Sequence, residues 1–200
     1  MKLLAAAFLL LSSLCGCAEA TNEPVVGGPC EGCEYVFVDM PKTITSRAQI
    51  APVDEKGEAL VVEGTVRHSD GKAASGIVVY AYQTDAGGIY PAGSTRHGRL
   101  RGWARTDSEG HYRFATIRPG AYPGGSNPQH IHMHVIEPRK ATYFIDDVHF
   151  TDDPLLTAKH RQGEESRRGG SGIGTPERDA QGVWHVRRDI VLGENVPGYR

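Results

Sequence analysis

Residues 106–123 read TDSEGHYRFATIRPGAYP, and this stretch decides the fold class. From residue 111 to 117 polar and apolar side chains alternate, which is typical of a β-strand with one buried face. The turn-forming residues 108–110 precede this strand, and a Pro-Gly pair ends it. The stretch therefore predicts a strand between two tight turns.

The rest of the chain repeats this pattern of short strands between turns. No window of about a dozen residues shows helical periodicity, and 25 Gly and 12 Pro residues favour a turn-rich fold. We therefore expect an all-β fold, a β-sandwich, in which residues 161–182 form a long exposed loop. The further predicted strands are 59–67, 76–82, 130–136 and 184–192.

Composition and charge exclude several classes of protein. A chain of 200 residues suits a single domain. A formal net charge of −2 with 23% charged residues excludes a disordered polyelectrolyte and a strongly basic nucleic-acid binder. Four cysteines are too few to build a disulfide scaffold of this length. We expect a globular domain without a nucleic-acid partner, and nothing in the sequence specifies its oligomeric state.

The start of the chain has the pattern of an export signal. Lys2 precedes an apolar run, residues 3–11, that is too short to span a bilayer comfortably. The following Leu-Cys-Gly-Cys stretch resembles a bacterial lipobox, in which Cys17 would be lipidated. We expect residues 1–16 to be a lipoprotein signal peptide and the mature protein to be extracytoplasmic, held by a lipid anchor at a periplasmic or outer-membrane surface. An ordinary signal peptide cleaved near Ala18 or Ala20 is the alternative.

Residues 17–34 are predicted to be a tether that carries a Cys-x-x-Cys motif. In an exported protein the motif suggests a small disulfide between Cys30 and Cys33. Half of a zinc site is an alternative, but the sequence has no second Cys pair to complete it. A thioredoxin-like motif would require a following helix, and none is predicted. The remaining residues 35–200 are predicted to form the sandwich domain.

Three histidines alternate along the predicted strand 130–136. Because successive side chains in a strand point to opposite faces, His130, His132 and His134 share one face. Three buried imidazoles fill a core poorly, since each needs a hydrogen-bond partner, but neutral imidazole is a good ligand for several transition metals. The pattern therefore predicts a metal site without specifying the metal.

Residues 106–123 followed by the His-Ile-His of 130–132 resemble the intradiol ring-cleavage dioxygenases, which include protocatechuate 3,4-dioxygenase and catechol 1,2-dioxygenase. The shared pattern is T-D-x-x-G-x-Y-x-F-x-T-I-x-P-x-x-Y-P, then H-I-H. The resemblance covers roughly residues 59–192 and includes the Tyr-Gln-Thr-Asp segment that leads to Tyr90. It implies the transthyretin-like β-sandwich of that family.

The resemblance also implies a cofactor and a reaction. Non-haem Fe(III) would be held by Tyr90, Tyr122, His130 and His132, with His134 outside the ligand set. The substrates would be a catechol and O2, and the ring would open between its hydroxyl-bearing carbons to a cis,cis-muconate-type diacid. Tyr122 would be the ligand that the catechol displaces, and it would take up a proton.

One departure from the family pattern concerns the substrate. The Arg that normally stands three residues before the first His is replaced by Asn127, which can donate a hydrogen bond but carries no charge. The possible replacements for its charge are Arg96, Arg99, Arg101, Arg118 and Arg139.

Two other functions remain open at the level of sequence. One is a non-catalytic binding module of the transthyretin or carboxypeptidase-regulatory type, which the glycine-punctuated segment 63–78 also resembles. The other is a periplasmic lipoprotein that binds metal without turnover.

Overall fold

Almost all regular structure is β-strand in the computed structural model, which describes residues 24–30, 32–164 and 166–200. The predicted signal peptide and Cys17 lie outside these residues. Among the described residues, no helix is long and apolar enough to cross a bilayer. The strands are β1 (Arg47–Gln49), β2 (Ala59–Arg67), β3 (Val78–Tyr82), β4 (Arg101–Arg105), β5 (His111–Ile117), β6 (His130–Glu137), β7 (Ala141–Phe150), β8 (Ile173–Gly174), β9 (Glu177–Arg178), β10 (Trp184–Arg187) and β11 (Ile190–Val191). A 3₁₀ turn (Cys33–Tyr35) and one helix, α1 (Ala158–Glu164), complete the elements.

The strands form two sheets that share one apolar core. The first sheet has the order β1-β5-β2-β10-β9, with β11 also paired to β2, and the second has the order β4-β3-β6-β7-β8. The first sheet contributes Val62 and Phe114 to the core, and the second contributes Val79, Met133 and Ile145. The predicted all-β sandwich is therefore confirmed.

The second sheet is buried on its outer face as well. On β3, Val79 and Ala81 point into the core between the sheets, whereas Tyr80 and Tyr82 point outward into a second buried cluster. The Trp103 indole donates a hydrogen bond to the carbonyl of Val36 at 2.7 Å, which fastens residues 33–44 over this cluster. The outer face of β3 and β6 is thus a protected surface on which polar side chains can be positioned.

The described part of segment 17–34 is bound to the body of the protein, which differs from the predicted tether. Val25 forms a parallel bridge with Thr142, and the Gly27 amide donates to the carbonyl of Pro197 at 2.9 Å. Cys33 is buried. Backbone hydrogen bonds hold the segment in place. Such bonds leave no signature in side-chain composition, so a segment with little hydrophobic pattern gave no sign of this attachment.

The prediction of one long exposed loop over 161–182 was wrong. The segment contains most of α1 and the strands β8 and β9, which pair with β7 and β10. A helix of seven residues is too short to show a clear period. The buried guanidinium of Arg188 also donates to the carbonyls of Gly169 and Arg168, at 3.0 and 3.2 Å, and so holds this segment against the body of the protein.

Other strand boundaries differ from the predicted ones because hydrogen-bonded pairing with neighbouring strands, and not the local hydrophobic pattern, sets where a strand ends. The predicted strand 184–192 is split at residues 188–189 into β10 and β11, and both halves pair in parallel with β2. The strands β1, β4 and β7 were not predicted. The sequence of β7 contains Asp146-Asp147 in its middle, which interrupts the apolar alternation that identifies a strand.

Candidate metal centre

Four side chains converge at the outer face of the second sheet, and they are the four that the sequence resemblance implied. The Tyr90 hydroxyl lies 2.7 Å from the Tyr122 hydroxyl and 2.8 Å from His132 Nε2. His130 Nε2 lies 3.2 Å from both His132 Nε2 and the Tyr122 hydroxyl, and the Tyr122 hydroxyl lies 3.5 Å from His132 Nε2. Neighbouring ligand atoms that each lie about 2 Å from one metal ion are about 2.8 to 3.5 Å apart, depending on the angle at the metal. The separations therefore fit a single metal ion.

Two loops bring the tyrosines together. Tyr90 follows β3, and Tyr122 follows β5. The loops touch at Gly88, which has a φ of +80° and where a Cβ atom would lie 1.9 Å from the carbonyl oxygen of Ala121. Only glycine accommodates both the conformation and the close approach. The Gly120 amide adds a hydrogen bond to the carbonyl of Asp85 at 2.8 Å, so the two loops hold each other in place.

The histidines are aimed by hydrogen bonds to their outer ring nitrogens. His130 Nδ1 lies 2.7 Å from the carbonyl oxygen of Pro128, and His132 Nδ1 lies 3.0 Å from a carboxylate oxygen of Asp147. Each oxygen accepts a hydrogen bond from Nδ1–H, which leaves the lone pair of Nε2 facing the other three side chains. Histidine ligands of metals are commonly oriented in this way.

A β-bulge places Asp147 beside His132. Ile131 pairs with Val148 and Met133 pairs with Ile145, so two residues of β7 stand opposite His132 alone. The extra residue turns the carboxylate of Asp147 toward the imidazole, and bulges often re-aim a side chain in this manner. Asp147 was not among the predicted site residues, because the register of two strands is not visible in either sequence alone.

The pKa shifts of Tyr90 and His130 are compatible with a metal site. Burial raises the pKa of Tyr90, and the hydrogen bond with Tyr122 raises it further, so ionisation near neutral pH requires a cation next to the phenol. Burial lowers the pKa of His130, and the neighbouring His132 adds to this effect, which keeps the imidazole neutral as a ligand must be. Two phenolate oxygens are hard anionic donors, and with two imidazoles they suit Fe(III).

Two cavities border this group of side chains. The larger, of about 530 Å³, is lined by Tyr90, Tyr122 and His132 and extends to Arg96. The smaller, of about 140 Å³, is lined by Tyr122 and His132 together with Asn127. Tyr122, His132 and Asp147 line both cavities.

Five arginines could replace the missing charge. Of these, Arg96 alone lines a described cavity next to the tyrosines and histidines. Three of the others have carboxylate partners elsewhere in the protein: Arg99 pairs with Glu55, Arg101 with Asp39 and Arg118 with Asp152. Arg139 lies in the turn between β6 and β7.

His134 shares the face of His130 and His132 but is not part of the converging group. It is buried, with 3% of its surface exposed. Burial lowers its pKa to about 3, with contributions from His97 and His132. The Tyr82 ring separates this region from the four converging side chains, since it stacks on His132 at 4.5 Å and on His97 at 3.6 Å between ring centroids. Neither Tyr82 nor His97 was predicted to lie near the site.

Comparison with known proteins identifies the family. The family model described as dioxygenase matches residues 31–169. Since this match covers more than half of the chain, the chain belongs to that family, the intradiol dioxygenases. The fold and the four converging side chains agree with this assignment, whereas a carboxypeptidase-regulatory module would account for the fold alone.

Two curated relatives show how far the sequence similarity extends. The chain is 35% identical over 112 residues to the protocatechuate 3,4-dioxygenase beta chain of Burkholderia cepacia, covering 50% of this chain and 48% of that protein. It is 33% identical over 131 residues to catechol 1,2-dioxygenase 1 of Acinetobacter lwoffii, covering 56% of this chain and 42% of that protein. The chain thus spans about half the length of the curated relatives it matches.

Solved structures support the fold. The dioxygenase domain of a dioxygenase carbohydrate-binding fusion from Streptomyces sp. SirexAA-E superimposes with a TM-score of 0.60 at 23% identity, covering 76% of this chain and 91% of that one. The 3-chlorocatechol 1,2-dioxygenase of Rhodococcus opacus 1CP superimposes with a TM-score of 0.63 at 16% identity, covering 85% and 72%. At these identities the likeness concerns the fold.

We expect Asp147→Ala to weaken iron binding about tenfold to hundredfold, because His132 loses the partner that fixes its tautomer and orientation. Competition with a ferric chelator measures the affinity. Asp179→Ala is the matched control, because Asp179 lies 3.0 Å from His185 Nε2 in a second His–Asp pair outside the site. Equal affinity in both variants would contradict the role assigned to Asp147.

Proposed function

We propose that this protein is a non-haem Fe(III) intradiol dioxygenase that cleaves a catechol between its two hydroxyl-bearing carbons. One O2 is consumed, and both oxygen atoms enter the product, a cis,cis-muconate-type diacid. The observation that carries the proposal is the convergence of two tyrosine hydroxyls and two histidine Nε2 atoms within metal-binding separations. Family membership and the names of the two curated relatives support it.

The ligand residues of the proposed site are Tyr90, Tyr122, His130 and His132. Bound ferric iron would act as the Lewis acid that makes a catecholate reactive toward O2. The protein's own contribution is positioning. The loop contact at Gly88 holds Tyr90, and the bulge in β7 holds His132 through Asp147.

Tyr122 is the residue that moves a proton in this proposal. It borders both cavities, and its hydroxyl lies within 3.5 Å of three other ligand atoms. When a catechol hydroxyl takes its place, the Tyr122 oxygen accepts the proton that the catechol loses. The larger cavity has room for a single aromatic ring beside these residues.

The first test of the proposal is iron content, colour and turnover. We expect the protein loaded with ferric iron to be red-brown from tyrosinate-to-iron charge transfer, to hold one iron per chain and to convert catechol to the ring-opened diacid. His130→Ala should remove most of the iron, and Tyr122→Phe should retain some iron with a shifted absorption band, because three ligands remain.

Metal analysis, visible spectroscopy and product identification by mass spectrometry measure these outcomes. His185→Ala, which removes a histidine outside the site, serves as the control and should keep both iron and colour. A colourless protein that takes up no iron would refute the proposal, and iron binding without turnover of any catechol would indicate a metal-binding lipoprotein instead.

The second test concerns the charge that Asn127 lacks. We expect slow turnover of simple catechol with intact iron binding, and we expect Asn127→Arg to raise kcat by roughly a hundredfold, the size of a typical electrostatic contribution in an active site. Arg96→Gln should lower the rate, because Arg96 lines the larger cavity.

Arg99→Gln is the matched control for Arg96, since Arg99 lies on the same loop but pairs with Glu55 at 2.5 Å. Steady-state kinetics compare the variants. Fast cleavage by the wild type that neither Asn127→Arg nor Arg96→Gln alters would show that this charge argument does not apply.

We also propose that the protein is lipid-anchored through Cys17 on the extracytoplasmic side of a bacterial membrane, because residues 1–17 have the charged, apolar and lipobox segments of such a signal. Cys17→Ser should release the protein from the membrane fraction without changing its iron content. Intact-mass spectrometry measures the modification directly, and a native chain that begins after Ala20 without lipid would refute the anchor.

A further inference from the structure

The Cys-x-x-Cys motif lies against a buried histidine that the metal centre does not use. Cys30 and Cys33 form a disulfide with a Cα–Cα distance of 5.6 Å. Their two sulfur atoms and one ring nitrogen of His134 all lie within 4.8 Å of one another, and Cys30 Sγ is 3.6 Å from His134 Nε2. His134 on β6 thus lies where a third ligand beside the two sulfur atoms would lie.

A second buried histidine points at the same loop. His97 is 4% exposed, and its Nε2 has no hydrogen-bond partner among the described residues. A Cβ atom at Gly32, between the two cysteines, would lie 2.2 Å from this nitrogen. His97 Nδ1 lies 2.8 Å from the Tyr80 hydroxyl, which fixes the ring. His97 thus packs against Gly32 at the border of the site and is not one of the three ligand atoms that lie within 4.8 Å of one another.

We propose that reduction of the Cys30–Cys33 disulfide creates a second metal site, which binds Zn²⁺ through the two thiolates and His134, with a water molecule as the fourth ligand. Two thiolates and one imidazole, with water in the fourth position, are a known tetrahedral zinc set. Thiolates also select a softer cation than the two phenolates of the iron centre do. The two sites share no ligand, so this proposal does not depend on the dioxygenase proposal.

The redox step is a thiol–disulfide exchange. A dithiol reductant gives two electrons and two protons to the Cys30–Cys33 bond, which becomes two thiols, while the reductant becomes a disulfide. Binding of Zn²⁺ then releases the two thiol protons. In the oxidised protein the sulfur–sulfur bond removes both anionic ligands, so the site exists only in the reduced state.

The second site would open onto the same cavity as the iron centre. Cys30, His97 and His134 line the cavity of about 530 Å³ together with Tyr90 and Tyr122. Only the Tyr82 ring stands between the stacked His97 and His132. A cation bound at the cysteines would therefore lie next to the space proposed for the aromatic substrate.

Cobalt titration of the full-length chain tests this proposal. Cys15 and Cys17 are replaced by serine in every sample, so that Cys30 and Cys33 are the only thiols. After reduction and anaerobic removal of the reductant, Co²⁺ should produce a thiolate-to-cobalt charge-transfer band that saturates at one equivalent and that Zn²⁺ abolishes. The oxidised protein should produce no such band.

Variants then separate the second site from the iron centre. Cys30→Ser should lose the band, and His134→Gln should weaken cobalt binding by roughly tenfold or more, since a direct ligand matters at least as much as a ligand's supporting partner. His130→Ala is the matched control: it removes an iron ligand on the same strand and should leave the cobalt band and affinity unchanged.

X-ray absorption at the zinc edge of the reduced wild type gives a readout that needs no buried substitution. Two sulfur neighbours and one imidazole nitrogen, with one lighter atom in the fourth position, would support the proposal. Absence of the thiolate band after reduction would overturn it. So would two sulfur neighbours with only oxygen beside them, or a cobalt affinity that His134→Gln does not change.

Discussion

The alternation of side chains along β6 is the constraint on which the rest of the molecule depends. Ile131, Met133 and Val135 fill the core between the sheets, and this burial fixes which way the strand faces. A shift of one residue would send the whole apolar set outward, so the register is held by the free energy of burial. The three histidines must consequently point to the opposite, outer face of the sheet. The core that stabilises the fold thus also orients His130 and His132.

The outer face of the second sheet must then be protected in a way that an ordinary sandwich face is not. The segment around Val36 covers one part of it, and the loops that carry Tyr90 and Tyr122 cover another. Between them, aromatic and imidazole rings of β3 and β6 pack in pairs, such as Tyr80 with His134 and Tyr82 with His132. The polar atoms of this face are therefore shielded from bulk water. In such an environment hydrogen bonds and charges act more strongly than they do in water.

Much of this was predictable from local sequence pattern. The strand 111–117 was found with its observed boundaries because its alternation is regular, and the two-faced strand carrying the histidines followed from the same rule. What the sequence did not reveal depends on pairing between distant residues. Asp147 reaches His132 through a bulge, and Cys30 meets His134 across 104 positions of the chain. The two tyrosines of the site came only from the resemblance to a family, since no periodicity relates Tyr90 to His130.

The parallel pairing of β10 and β11 with β2 has a consequence for the order of folding. β2 cannot be hydrogen-bonded on both sides until residues 184–191 are available, so a central strand of the first sheet waits for a partner more than 120 residues away. Forming contacts of such long range first costs loop-closure entropy, and the stabilisation comes only afterwards. Sheets built from such contacts therefore fold slowly. During that interval the apolar edge of β2 is open to pairing with other chains. The time needed to bring residues 184–191 to β2, rather than the stability of the finished sandwich, then sets the exposure of this protein to aggregation.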